Sequence, residues 1–153
     1  ILHIQRWYCR KKTNKKINMA TTTATVTINS TDLLTDEISL STTCTLTNAG
    51  GSNGLTGTGG LGRKTTSSTS QYILFDADDY SSGPGKAHKI YLKNTSTDPA
   101  EYFTITHNAE EIGRLYAGDW AFFPWNNHDG AADIKITPSV STSITLEYML
   151  FID

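Results

Sequence analysis

The stretch Glu101-Tyr-Phe-Thr-Ile-Thr-His107, with Glu111-Ile-Gly-Arg-Leu-Tyr-Ala-Gly-Asp-Trp-Ala-Phe-Phe-Pro-Trp125 close behind it, carries much of the aromatic mass of the chain. In its first part Phe103 and Ile105 fall opposite Tyr102, Thr104 and Thr106, the period of two expected of a half-buried strand. Tyr116-Ala-Gly-Asp119 reads as a turn, because Gly tolerates positive φ and Asp can bond its own backbone. Trp120 to Trp125 then reads as a returning strand that Pro124 ends or places on an edge. The expectation is a β-hairpin with a heavy aromatic load and no active-site constellation.

Outward from that hairpin, the alternation repeats. Ala24, Val26 and Ile28 share a face in Thr21 to Ile28, and Ile38, Leu40, Cys44 and Leu46 share one in the next apolar stretch. Cys44 therefore reads as a small buried core residue. Tyr72-Ile-Leu-Phe75 is apolar on both faces, and Ile90 and Leu92 point inward from Lys89 to Lys93. Ile134 and Ile136 alternate with Asp133 and Lys135. In Ser143 to Phe151 the residues Ile144, Leu146, Tyr148 and Leu150 form one face, predicted to be core. About eight short strands separated by turn signals predict one all-β domain over residues 19–153, an antiparallel β-sandwich of jelly-roll-like or immunoglobulin-like kind.

Asn48 to Lys64 holds seven glycines between Gly50 and Gly62 and reads as a long mobile loop, 48–64. Gly57-Thr-Gly-Gly-Leu-Gly-Arg-Lys-Thr65 has the flavour of a phosphate loop, but Arg63 separates Gly62 from Lys64, where that motif needs them adjacent. Asp76-Ala-Asp-Asp79 lacks the spaced ligands of a calcium loop and reads as a solvated turn.

Charge is unevenly placed. Residues 1–18 hold six bases and no acid, whereas from Met19 onward seven bases face fifteen acids, a formal charge of −8. An acidic body argues against nucleic acid as a partner. The basic segment 1–18 reads as translated upstream sequence or a disordered arm, with Met19 as the natural start, and its lack of an apolar core is unlike a signal peptide. No apolar run nears the roughly 20 residues that span a bilayer, so a soluble chain without membrane contact is expected. Cys9 and Cys44 make no disulfide framework, and the four histidines show no metal-ligand spacing. Glu110 and Glu111 are adjacent and so point to opposite faces of a strand. No nucleophile elbow is present. The expectation is a chain that is not an enzyme and takes no cofactor or metal.

Arg114 stands in an otherwise apolar strand, and two readings apply: an exposed guanidinium lying over a neighbouring ring, or an ion pair across a subunit interface. Trp120, Phe123, Trp125, Tyr91 and Tyr102 read mainly as core or subunit contact, and otherwise as platforms for sugar rings. The candidate interface residues are Arg114, Tyr116, Trp120, Phe123, Trp125, Met149 and Phe151.

Lys89-Ile-Tyr-Leu-Lys-Asn-Thr95, Glu111-Ile-Gly-Arg-Leu-Tyr-Ala-Gly-Asp-Trp120, Phe123-Pro-Trp125 and Ile144-Thr-Leu-Glu-Tyr-Met-Leu150 together resemble small virion structural proteins of marine tailed bacteriophages, the cyanophages and their relatives. The resemblance covers roughly residues 60–153. It implies a virion component, assembled in the host cytoplasm, that decorates the capsid or belongs to the tail or a fibre. Homo-oligomerisation, a trimer being one form, and contact with other virion proteins are the expected partnerships. A carbohydrate- or receptor-binding module that takes a glycan is the alternative.

Overall fold

The computed structural model describes residues 21–33, 35–80, 87–128 and 131–153. The basic segment 1–18 and the Ser-Ser-Gly-Pro-Gly turn after Tyr80 lie outside the described residues. Alternating burial runs through most strands, and His88, Ile90, Leu92 and Asn94 are buried while Lys89, Tyr91 and Lys93 between them are not. The described residues form eleven strands: β1 (Thr22–Ser30), β2 (Ile38–Leu46), β3 (Gly57–Thr58), β4 (Gly62–Thr66), β5 (Tyr72–Phe75), β6 (His88–Asn94), β7 (Tyr102–His107), β8 (Glu110–Tyr116), β9 (Trp120–Trp125), β10 (Ile134–Pro138) and β11 (Ile144–Ile152).

The pairing pattern identifies the sandwich. β4 pairs with β11, β5 with β10, β6 with β9 and β7 with β8, all antiparallel. Those are the pairs of a long ribbon folded at the β7–β8 turn. Curling the ribbon adds two further pairings, β11 with β6 and β10 with β7. The result is two facing sheets, β5-β10-β7-β8 and β4-β11-β6-β9, with β3 extending the edge beside β4. This connectivity is that of a jelly roll rather than an immunoglobulin sandwich. Eight strands make the roll, and β1 and β2 form a separate two-stranded ribbon outside it.

The core lies between the two sheets. Phe103, Ile105, Leu115, Ile134 and Ile136 come from one sheet, and Ile90, Leu92, Ile144, Leu146 and Leu150 from the other. The predicted inward face of the last strand is therefore core, with Tyr148 packed against it.

Two expectations are corrected here. First, β9 does not return along β8. Period 2 and a Gly-Asp turn are common to a hairpin and to a corner, and the structure makes a corner: β8 ends in one sheet and β9 begins in the other, paired with β6. Gly118 takes φ +83° at that corner, a conformation that costs a Cβ-bearing residue. Asn94 ties the corner down. Its backbone accepts from Gly118 N at 3.1 Å and donates to Asp119 O at 3.0 Å. Its buried amide donates to the carbonyls of Glu101 and Leu115, both at 3.1 Å.

Second, the glycine-rich segment is not one open loop, because β3 and the first residues of β4 fall within 48–64 and bond to β11. Thr58 faces Phe151 and Gly62 faces Tyr148, so three residues stand against two and the edge strand carries a bulge. Gly60, at φ +75°, is the residue that makes it. Glycines have no side chain with which to display alternation, so the strand pattern was invisible there. The predicted solvated turn at Asp76 is a short 3-10 turn, Ala77–Asp79, with the Asp76 carboxylate capping Asp78 N.

Candidate docking surface

Once β6, β9 and β11 are in register, the aromatics sort themselves. In β9 the residues Ala121, Phe123 and Trp125 turn to the core. Trp120, Phe122 and Pro124 turn outward, opposite Lys93, Tyr91 and Lys89 of β6. β11 adds Met149 beside Tyr91 and Phe151 beside Lys89. Sheet pleating thus builds an apolar patch on the outside of this sheet, with Tyr91, Phe122, Met149 and Phe151 half-buried and Trp120 52% exposed. Phe122 and Phe151 meet edge to face at 6.0 Å, a geometry aromatic rings favour.

Polar groups border the patch. The Arg63 guanidinium places two donors on one Glu147 carboxylate oxygen, at 2.7 and 2.9 Å. Tyr91 Oη donates to the other oxygen at 3.4 Å. Burial and then the Glu147 charge raise the Tyr91 phenol above its ordinary value. Lys89 and Lys93 stand on either side of Tyr91 along the strand, so the patch is flanked by positive charge in an acidic body.

The β1–β2 ribbon lies across part of this face. Its register puts every even residue on one side: Ala24 with Cys44, Val26 with Thr42, and Ile28 with Leu40. The odd side is hydroxyl and amide throughout, joined by Thr25–Thr43 at 2.7 Å and Thr27–Ser41 at 3.3 Å. Ala24 and Val26 face Tyr91, Trp120, Phe122 and Phe151 across a groove of about 440 Å³. The cover that the doubly apolar strands call for is therefore partly supplied by the same chain. It is incomplete: Ile28 is 51% and Leu40 49% exposed. Cys44 is exposed, which corrects its reading as core. It does share a face with Leu40 and with Leu46, which is buried, but among the described residues that face is left open at Cys44 itself.

The candidate interface residues divide three ways. Trp120, Met149 and Phe151 come together on the outer sheet face. Trp125 and Phe123 belong to the core instead; Trp125 is 2% exposed and its indole donates to Ala132 O at 2.7 Å. Their aromatic type misled, because β9 is aromatic on both faces. Arg114 and Tyr116 lie outward on the opposite sheet. Arg114 bonds Glu111 at 3.0 Å and sits 5.1 Å from the Tyr102 ring centre, the exposed stacked arrangement. The Glu111 bond raises its pKa further above the ordinary arginine value.

Tyr91, already a candidate contact residue, lies on this surface together with Phe122 and Lys93, which the sequence reading does not assign to it. Their signal was parity: Lys89, Tyr91 and Lys93 alternate with the apolar Ile90 and Leu92.

At one end of the roll, buried His88 donates from Nε2 to Asn127 Oδ1 at 3.1 Å, and Asp153 N donates to its Nδ1 at 3.0 Å. Since Nδ1 accepts, Nε2 carries the proton and donates. Asn127 passes its own amide to the carbonyls of Ala77 and Tyr80. These polar groups tie chain segments together. A second groove, of about 330 Å³, is lined by hydroxyls and by Glu101, which holds Ser96 and Thr142. Among the described residues no three His, Cys, Asp or Glu side chains converge as a metal site, and no helix is long and apolar enough to cross a membrane.

No protein-family model matches the chain, and no curated protein matches it.

Proposed function

We propose that this chain is a non-enzymatic assembly subunit that buries the outer face of its β4-β11-β6-β9 sheet against other copies and neighbouring proteins, as a structural component of a tailed-phage virion. The apolar outer patch, with Trp120 52% exposed beside half-buried Met149 and Phe151, carries the proposal. A surface of this kind marks an interaction site more often than bare exposure. Jelly rolls build viral capsid domains and lectins alike, so the fold supports the reading by analogy without selecting it. The placement in a virion rests on the sequence resemblance, and capsid decoration and tail or fibre association both fit it.

Phe151→Asp puts a charge in the patch while leaving the buried Ile144, Leu146 and Leu150 untouched. The wild type is expected to sediment above monomer mass, through a contact burying at least about 1,000 Å² in total. Phe151→Asp should lower that mass with unchanged β-sheet circular dichroism. A wild type that is monomeric at high micromolar concentration and does not bind purified capsids or tails would refute the proposal.

A glycan-binding reading is favoured by one observation: Trp120 stands exposed at a groove that also holds Lys93 and Thr25. Glycan-array binding abolished by Trp120→Ala would support it. Trp125 does not serve as a second probe, being core.

A further inference from the structure

We infer that the β1–β2 hairpin is an arm that seats the distal part of its apolar face on the outer sheet of a second copy of this chain. The inference rests on the assembly reading above and names the element and the partner within it.

The starting point is the hairpin itself. A two-stranded ribbon alone is marginally stable in water, and this one has nine residues in each strand, about 30 Å of extended chain. Its own sheet faces only the basal part, at Ala24 to Val26. Beyond that, the paired Ile28 and Leu40 stand about half exposed, and Leu33 in the connecting loop is 74% exposed. The even face is sorted as a buried face would be, against an odd face of hydroxyls, yet among the described residues nothing closes over its outer half.

The chain carries a matching surface. Tyr91, Phe122, Met149, Phe151 and Trp120 form an apolar patch that the hairpin base fills only in part, leaving the groove of about 440 Å³. Charge is complementary as well. The hairpin loop carries Asp32, Asp36 and Glu37, all exposed, and no base pairs with them among the described residues. The patch is flanked by Lys89 and Lys93, two of the seven bases from Met19 onward. An apolar row ending in acids thus meets an apolar row bordered by lysines, and both are on every copy. Self-complementary surfaces are what symmetric oligomers require.

The test uses full-length protein with Cys9→Ser and Cys44→Ser. Leu40→Cys and Trp120→Cys are prepared separately, mixed and oxidised, with Leu40→Cys plus Ile73→Cys as a control, since Ile73 is exposed on the other sheet. The first mixture should give a disulfide-linked heterodimer and the control should not. In parallel, the double variant Ile28→Asp, Leu40→Asp should self-associate at least about ten-fold more weakly, with unchanged β-sheet circular dichroism because neither side chain is in the core. Equal linking in both mixtures would overturn the inference. An oligomeric wild type whose double variant keeps its full mass would overturn it too, while leaving the assembly reading intact. A monomeric wild type that binds virion particles would likewise overturn only the second-copy contact.

Discussion

Asn94→Leu should lower stability by about 2–5 kcal/mol, because the amide it removes serves three backbone groups at the β8–β9 corner. The side chain is fully buried. It donates to Leu115 O at 3.1 Å and to Glu101 O at 3.1 Å, and it accepts from Ser96 N at 2.9 Å. Leucine keeps the branched shape at a somewhat larger volume and leaves the bonds to Gly118 and Asp119, which are backbone. The bond to Leu115 is buried, and stripping such a partner costs about 1–3 kcal/mol. The bonds to Glu101 and Ser96 are partly exposed, so water recovers some of that loss and each adds less. The sum is a large share of the roughly 5–15 kcal/mol that holds a domain folded. Urea denaturation reads it directly: the midpoint should fall with the slope unchanged, since the surface exposed on unfolding is the same. Asn94→Asp should do no better, because its carboxylate faces two carbonyl oxygens. A loss under about 0.5 kcal/mol, the level of a surface substitution, would show that the turn's backbone holds the corner unaided.

Leu146→Ala, at a position with no exposure in the central strand of its sheet, should cost about 2–5 kcal/mol in the same assay. Gly62→Ala would set a Cβ 2.7 Å from Tyr148 Cζ, against a ring held edge-on to Phe75 at 5.8 Å. It should cost about 1–3 kcal/mol, whereas Gly57→Ala, with open space around it, should be near neutral. Tyr72 has its phenol raised to about 12, first by burial and then by Tyr148, and its hydroxyl finds no hydrogen-bond partner among the described residues. A folded value above the ordinary 10.0 means the stability tied to the neutral phenol is intact below pH 10 and is lost as pH rises toward 12. Tyr72→Phe should therefore flatten that alkaline fall and cost little at pH 7, as alkaline denaturation curves would reveal.

Faces were legible in the sequence, and partners were not. Alternation placed Ile144, Leu146 and Leu150 in the core because a one-residue slip would put all of them in water. The same rule cannot say which strand lies alongside. Trp120 to Trp125 alternates equally well beside β8 or β6, and only the pairing with Lys89–Lys93 separates Trp120 and Phe122 from Phe123 and Trp125. Cys44 shows the matching gap one level up. Its parity does match that of Leu40 and Leu46, but whether an apolar side is buried depends on the layer above it, and here the ribbon leaves the sandwich. Asn94 and Asn127 were unremarkable in composition and became structural clamps because the chain turns back on them at the two ends of the roll.

Hydrogen exchange of the full chain at increasing protein concentration bears most directly on assembly through the outer sheet and the hairpin. The β1 and β2 amides and those of the exposed edge strand β9 should exchange more slowly as concentration rises, while the β7–β8 amides on the opposite sheet stay constant. Exchange in β1, β2 and β9 that is independent of concentration up to the high micromolar range would mean that other copies do not cover these faces.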